Sequence, residues 1–151
     1  MRTILDKNGD VISLAGDLNG ADFDSVDLSG IDLSGKVMEG AMFCDADLSY
    51  ANLESSDLYW AMFLRANLEN AVLQCAQLCG ANFKLADLSG ADLRGANLSI
   101  DNFGGATQLQ GANLSTSLIE GADFTGAEYD SDTRFPPKFD PMAFGMKKVD
   151  N

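Results

Sequence analysis

The sequence predicts an all-β solenoid, a chain wound into four-cornered coils of twenty residues and stacked through parallel strands. Three observations predict it. Phenylalanine recurs every twenty residues at Phe23, Phe43, Phe63, Phe83 and Phe103, and again at Phe124 after one extra residue. A large apolar residue stands at every fifth position from Leu18 through Leu28, Leu33 and Met38 to Phe103, and the series resumes one residue late at Leu109, Leu114, Ile119, Phe124 and Tyr129. Two residues before each sits a small residue, mostly alanine, and two residues after it glycine is frequent, as at Gly20, Gly30, Gly35, Gly80 and Gly90. A fixed period of this length marks an architecture in which each repeat buries its apolar face only against its neighbours.

The five-residue period fits neither a helix, at 3.6, nor a flat strand, at 2. It fits a chain that turns a corner every five residues, with the large and the small residue pointing inward. Four such corners close a coil of twenty. Glycine at the corner supplies positive φ where the turn requires it. The phenylalanines then share one interior face as a stacked ladder. The single extra residue before Leu109 is expected to bulge outward within 104–106 and to leave the ladder in phase. Residues 16–131 would wind about 5.75 coils.

Both open ends of such a coil need covering, because unpaired strand edges invite aggregation. Residues 1–15 contain Asn8 and Gly9 between the apolar pairs Ile4, Leu5 and Val11, Ile12, a strong hairpin signal, so an N-terminal β cap is expected there. Residues 132–151 break the period. Asp140 before Pro141 reads as a helix start and Gly145 as its stop, so a short C-terminal helical cap is expected, with Phe135, Phe139 and Phe144 over the last coil and a loose tail from Lys147 to Asn151. Within the coils, Lys36 and Asp101 fall on inward slots that elsewhere hold small residues. Each is expected to reach solvent, find a partner or distort its coil.

The pentads, among them Ala-Asp-Leu-Ser-Gly at 86–90 and Ala-Asn-Leu-Ser at 96–99, resemble the unit of the pentapeptide-repeat family. The resemblance covers roughly residues 16–131 and implies a right-handed quadrilateral β-helix. The C-terminal segment is similar to the terminal cap of bacterial, especially cyanobacterial, members.

Composition narrows the function. Ten Lys and Arg against 23 Asp and Glu give a net charge of −13, which disfavours nucleic acid and anionic membranes as direct partners. Histidine is absent, which removes the commonest general base and metal ligand. Cys75 and Cys79 lie four apart, without the further Cys or His that a zinc site needs, and both are expected outside a corner. No glycine-rich phosphate loop is present. The expectation is therefore no enzyme, no cofactor and no metal. The three cysteines Cys44, Cys75 and Cys79, with no apolar leader at the start, suit a reducing cytoplasm.

What remains is a surface for another protein, or for a second copy of the chain as a homodimer. Outward positions mostly hold Asp, Asn, Ser, Glu or Gln. The exception is the group Met42, Cys44, Tyr59, Trp60, Met62 and Leu64, with Val37 nearby, the composition of an interface core. The alternative follows from the family resemblance, since some members mimic duplex DNA and bind DNA gyrase. A mimic needs dense, even charge along its length. Here residues 16–35 carry five Asp and no Lys or Arg, whereas in 76–95 Lys84 and Arg94 cancel Asp87 and Asp92. The acid is at the ends, and the middle is nearly neutral.

Overall fold

Corners come every five residues because the backbone there is left-handed. The structure is a computed structural model, and it describes residues 2–150. From Gly20 to Gly95 every fifth residue has φ between 55° and 70°, including Tyr50, Trp60 and Leu85. A side chain in that region costs roughly 1–2 kcal/mol, so the ladder between coils must hold these corners in place. It does so through bonds such as Phe43 N–H to the Met62 carbonyl at 2.7 Å and Met42 N–H to the Ala21 carbonyl at 2.9 Å. The Asp or Asn before each large residue has a structural task as well. Its carboxyl or amide oxygen accepts the N–H two residues on, as Asp47 does from Ser49 at 2.9 Å and Asn82 from Lys84 at 3.0 Å.

Parallel bridges join every fifth residue to the one twenty further on, from Asp22 with Met42 to Gln77 with Asn97. The inward large residues and the alanines two before them form one continuous core, fully buried through the middle coils. Phe23, Phe43, Phe63 and Phe83 stack with ring centroids 5.1, 5.0 and 4.7 Å apart, within the favourable range.

The ladder ends at Phe83, which corrects the sequence expectation. Asn82 pairs with Gln108, twenty-six residues on, and the same offset joins Asp87 to Asn113, Asp92 to Leu118 and Asn97 to Asp123. The chain therefore completes its coil at Ile100, makes a six-residue excursion over 101–106, and re-enters at Thr107. Leu109, not Phe103, lies over Phe83, and Tyr129 lies over Leu109. Phe103 is 86% exposed. Phe124 has moved to a neighbouring wall, where it follows Leu98. Asp101 is accordingly no inward residue of a coil. Its carboxylate ties the loop together instead. Thr107 takes the inward small slot, and its hydroxyl is satisfied by the Leu78 carbonyl at 3.1 Å. Lys36 does keep its slot, half-buried beside the N-terminal hairpin.

The ends are closed by different means. Strand β1 (Ile4–Leu5) pairs antiparallel with β2 (Val11–Ile12), and Ile4 is buried against the first coil. At the other end the cap is aromatic. Phe139 packs on Phe124 at 5.6 Å and on Phe144 at 4.6 Å, and Phe135 packs on Tyr129 at 5.5 Å. The expected terminal helix is not formed. Five residues between Pro141 and Gly145 are too few to sustain one, and they make turns. The chain then enters strand β4 (Lys147–Lys148), which pairs parallel with β3 (Glu128–Tyr129). The tail expected to be loose is thus sheet-bound at 147–149, with Val149 N–H on the Tyr129 carbonyl at 2.8 Å. Its last residue, Asn151, lies outside the described residues, as does Met1 of the N-terminal cap.

Candidate interaction site

The six outward residues singled out by composition divide into two groups. Met42 and Met62 are bridge partners in one column, outside the wall that holds Phe43 and Phe63 within. Below and above them that column is polar, with Asp22 and Asn82. Met62 is 38% exposed, and Met42, Cys44 and Leu64 are half-buried beside it. Burial, and then the Asp24 carboxylate, push the Cys44 thiol above its ordinary value, so it is a neutral, weakly polar surface group. Just beyond Leu64, Arg65 and Asp45 form a two-pronged ion pair at 2.7 Å that closes the edge of the patch.

Tyr59 and Trp60 occupy the corner before this wall, and they face a different set of residues. Only the left-handed backbone at Trp60 (φ 56°) and the bare corner above it let the indole lie there. A Cβ added to Gly80 would meet Trp60 Cδ1 at 2.6 Å. The indole N–H donates to the Asp101 carboxylate at 2.6 Å. The same carboxylate accepts the N–H groups of Phe103 at 2.8 Å and Gly105 at 2.7 Å, and Asp101 N–H closes the loop on the Gly105 carbonyl at 2.8 Å. The Trp60 bond first, and then the loop amide of Gly105, hold the Asp101 carboxyl below the usual carboxylate range. The excursion is therefore a pinned loop. It places Phe103 against Trp60, with centroids 6.3 Å apart.

Tyr59 stands perpendicular to Trp60 at 5.7 Å and 86°. Its hydroxyl is pushed up to about 12, chiefly by the neighbouring Cys79 thiol, so it stays neutral. Cys79 is 1% exposed, contrary to the outward position expected for it, with Sγ 3.6 Å from Ser99 Oγ. Cys75 alone of that pair is exposed. Together Glu39, Asp57, Tyr59, Trp60, Asn102 and Phe103 enclose a recess of about 240 Å³. None of Met42, Cys44, Met62 or Leu64 lines it. Sequence reasoning missed Phe103, Asn102 and Asp101 here because Phe103 falls on the twenty-residue beat. The available signal was an aspartate in an alanine slot, followed by Gly104 and Gly105.

The chain is similar to known proteins. A family model of pentapeptide repeats matches residues 21–58 and 63–99 in eight copies. A pentapeptide-repeat protein of the Arabidopsis thaliana thylakoid lumen is 32% identical over 77% of this chain and 70% of its own, with a TM-score of 0.49. A pentapeptide-repeat protein from Nostoc is 28% identical over 85% and 84%, also with a TM-score of 0.49. QnrB1, a plasmid-mediated fluoroquinolone resistance protein, is 20% identical over 82% and 77%, with a TM-score of 0.42. No curated protein sequence matches the chain. With its pentad periodicity and these matches, the chain belongs to the pentapeptide-repeat family.

Proposed function

We propose that the chain is a non-catalytic rod, a right-handed quadrilateral β-helix, that binds another protein through Met42, Cys44, Met62 and Leu64 with the neighbouring corner of Tyr59 and Trp60. The observation that carries the proposal is the outward column Asp22, Met42, Met62, Asn82, which turns apolar only at mid-rod. Exposed methionine beside tryptophan and tyrosine is interface-core chemistry. The handedness follows the strong preference of parallel crossovers. A non-catalytic role is supported by the carboxylates, many of which are occupied as acceptors for backbone N–H groups two residues on, as at Asp22, Asp27, Asp32, Asp87 and Asp123. The near-neutral middle coils favour this reading over mimicry of duplex DNA.

The test is affinity capture with wild-type protein and with the double variant Trp60→Ala/Met62→Ser. Loss of specific partners by the variant supports the patch, and equal recovery of every partner contradicts it. A gyrase supercoiling assay with excess protein is expected to show unchanged activity. Inhibition or protection would favour the DNA-mimic alternative.

A further inference from the structure

The recess between Tyr59, Trp60 and Phe103 has the chemistry of a cation site, and nothing in the repeat requires it. Its apolar walls are aromatic faces. Tyr59 and Trp60 meet at 86° to form an open corner, and Phe103 extends the Trp60 side. Ring faces are electron-rich and attract cations, most strongly for tryptophan. The indole N–H is turned away and donated to Asp101, so the Trp60 ring is fixed in orientation before any ligand arrives. Two acidic residues, Glu39 and Asp57, line the same recess. Neither has an ion-pair partner among the described residues, whose four ion pairs are Arg2 with Asp27, Lys7 with Asp22, Arg65 with Asp45 and Arg94 with Asp92. Asp57 spends one oxygen on its own turn, accepting Tyr59 N–H at 3.2 Å, and keeps the other. Asn102 adds an amide at the rim.

The excursion that supplies Phe103 and Asn102 is a second, independent pointer. It adds six residues without altering the coil register, since the pairing resumes in order on both sides. The coil does not need it, and it exposes a phenylalanine that an unconstrained loop would hide. Its Asp101 bonds hold Phe103 in the recess that Glu39 and Asp57 also line.

We propose that this recess receives an arginine side chain of the protein partner, its guanidinium lying on the Tyr59–Trp60 corner and pairing with Glu39 and Asp57. Arginine is favoured because its planar guanidinium both stacks on aromatic faces and pairs with carboxylates, whereas the lysine ammonium is a compact, strongly hydrated charge. A volume of about 240 Å³ accommodates the guanidinium with its adjoining methylenes. The inference rests on the protein-binding reading above and specifies what the partner must present.

Trp60 is the only tryptophan, so the site carries its own reporter. The experiment titrates the full chain with N-acetyl-arginine amide and follows Trp60 emission. The neutral isostere N-acetyl-citrulline amide and N-acetyl-lysine amide serve as comparison ligands. A saturable change is expected with arginine, weaker by about tenfold with citrulline and several-fold with lysine. Added salt weakens it. The Glu39→Gln/Asp57→Asn and Phe103→Ala variants, all at solvent-facing positions, reduce it while the unfolding midpoint stays put. An equal response to citrulline, a flat arginine titration, or full binding by the Glu39→Gln/Asp57→Asn variant overturns the proposal, and lysine binding equal to arginine overturns the choice of guanidinium. Met42 and Met62 take no part in this titration. A flat result alongside partner capture that depends on Met62 would remove the recess and leave the protein-binding reading intact.

Discussion

Phe83 and Phe103 stand twenty residues apart, each after an asparagine, in Ala81-Asn82-Phe83-Lys84 against Asp101-Asn102-Phe103-Gly104. One is fully buried in the stacked ladder, and the other is 86% exposed on a loop. The difference lies two residues upstream. Ala81 fits the inward slot, where its methyl joins the core. A carboxylate in that slot would be a buried charge without a partner, which costs far more than the core gains from one phenylalanine. At 101 the carboxylate, largely buried but outside the core, instead gathers the Trp60 indole N–H and two loop amides, and Phe103 leaves with it. A small residue thus decides where a large one goes.

Substitutions on either side of this pair sharpen the contrast. The largest loss is expected inside the ladder. Phe63→Ala removes a ring sandwiched between Phe43 and Phe83, and urea unfolding should show about 3–5 kcal/mol of destabilisation. A smaller loss is expected at the corner that seats Trp60. Gly80→Ala places a Cβ on the indole and a side chain at φ 70°, costing roughly 1–2 kcal/mol in the same assay and shifting Trp60 emission. Unchanged emission would mean that the indole does not lie over Gly80.

The pinned loop should also respond to acid. Asp101 titrates below its ordinary 3.8 because the charged form is hydrogen-bonded in the folded state. Its contribution is therefore complete above that value and is lost as pH falls through the lower, folded-state value. Acidification should release Trp60 in a fluorescence transition centred below 3.8 that Asp101→Asn abolishes. A transition centred above 3.8, or one that survives in Asp101→Asn, would contradict the clasp.

Much of the fold was legible because each five-residue unit repeats one instruction: small, polar, large, then a corner. The walls, the corners, the hairpin at Asn8-Gly9 and the aromatic identity of the C-terminal cap follow from residues taken one at a time. The excursion was not legible for an arithmetic reason with a physical basis. The pairing offset of twenty-six leaves a remainder of one on division by five, so the pentad rhythm reads the same after one extra residue as after six. Phe103 falling on the beat completed the disguise. The candidate site was half legible. Tyr59 and Trp60 stood out by composition, but Glu39, Asp57 and Phe103 join them only through stacking of coils and return of a loop. The terminal helix was misread because capping residues were present without enough chain between them, and the chain just beyond them pairs with the last coil at Lys147 and Lys148.

The central claim is that the chain places Phe83 within and Phe103 without. Parallel urea unfolding of Phe83→Ala and Phe103→Ala tests it most directly. The account expects a loss of about 3–5 kcal/mol for the first and a change within about 0.5 kcal/mol for the second. Comparable losses at the two positions would return Phe103 to the ladder and contradict the account.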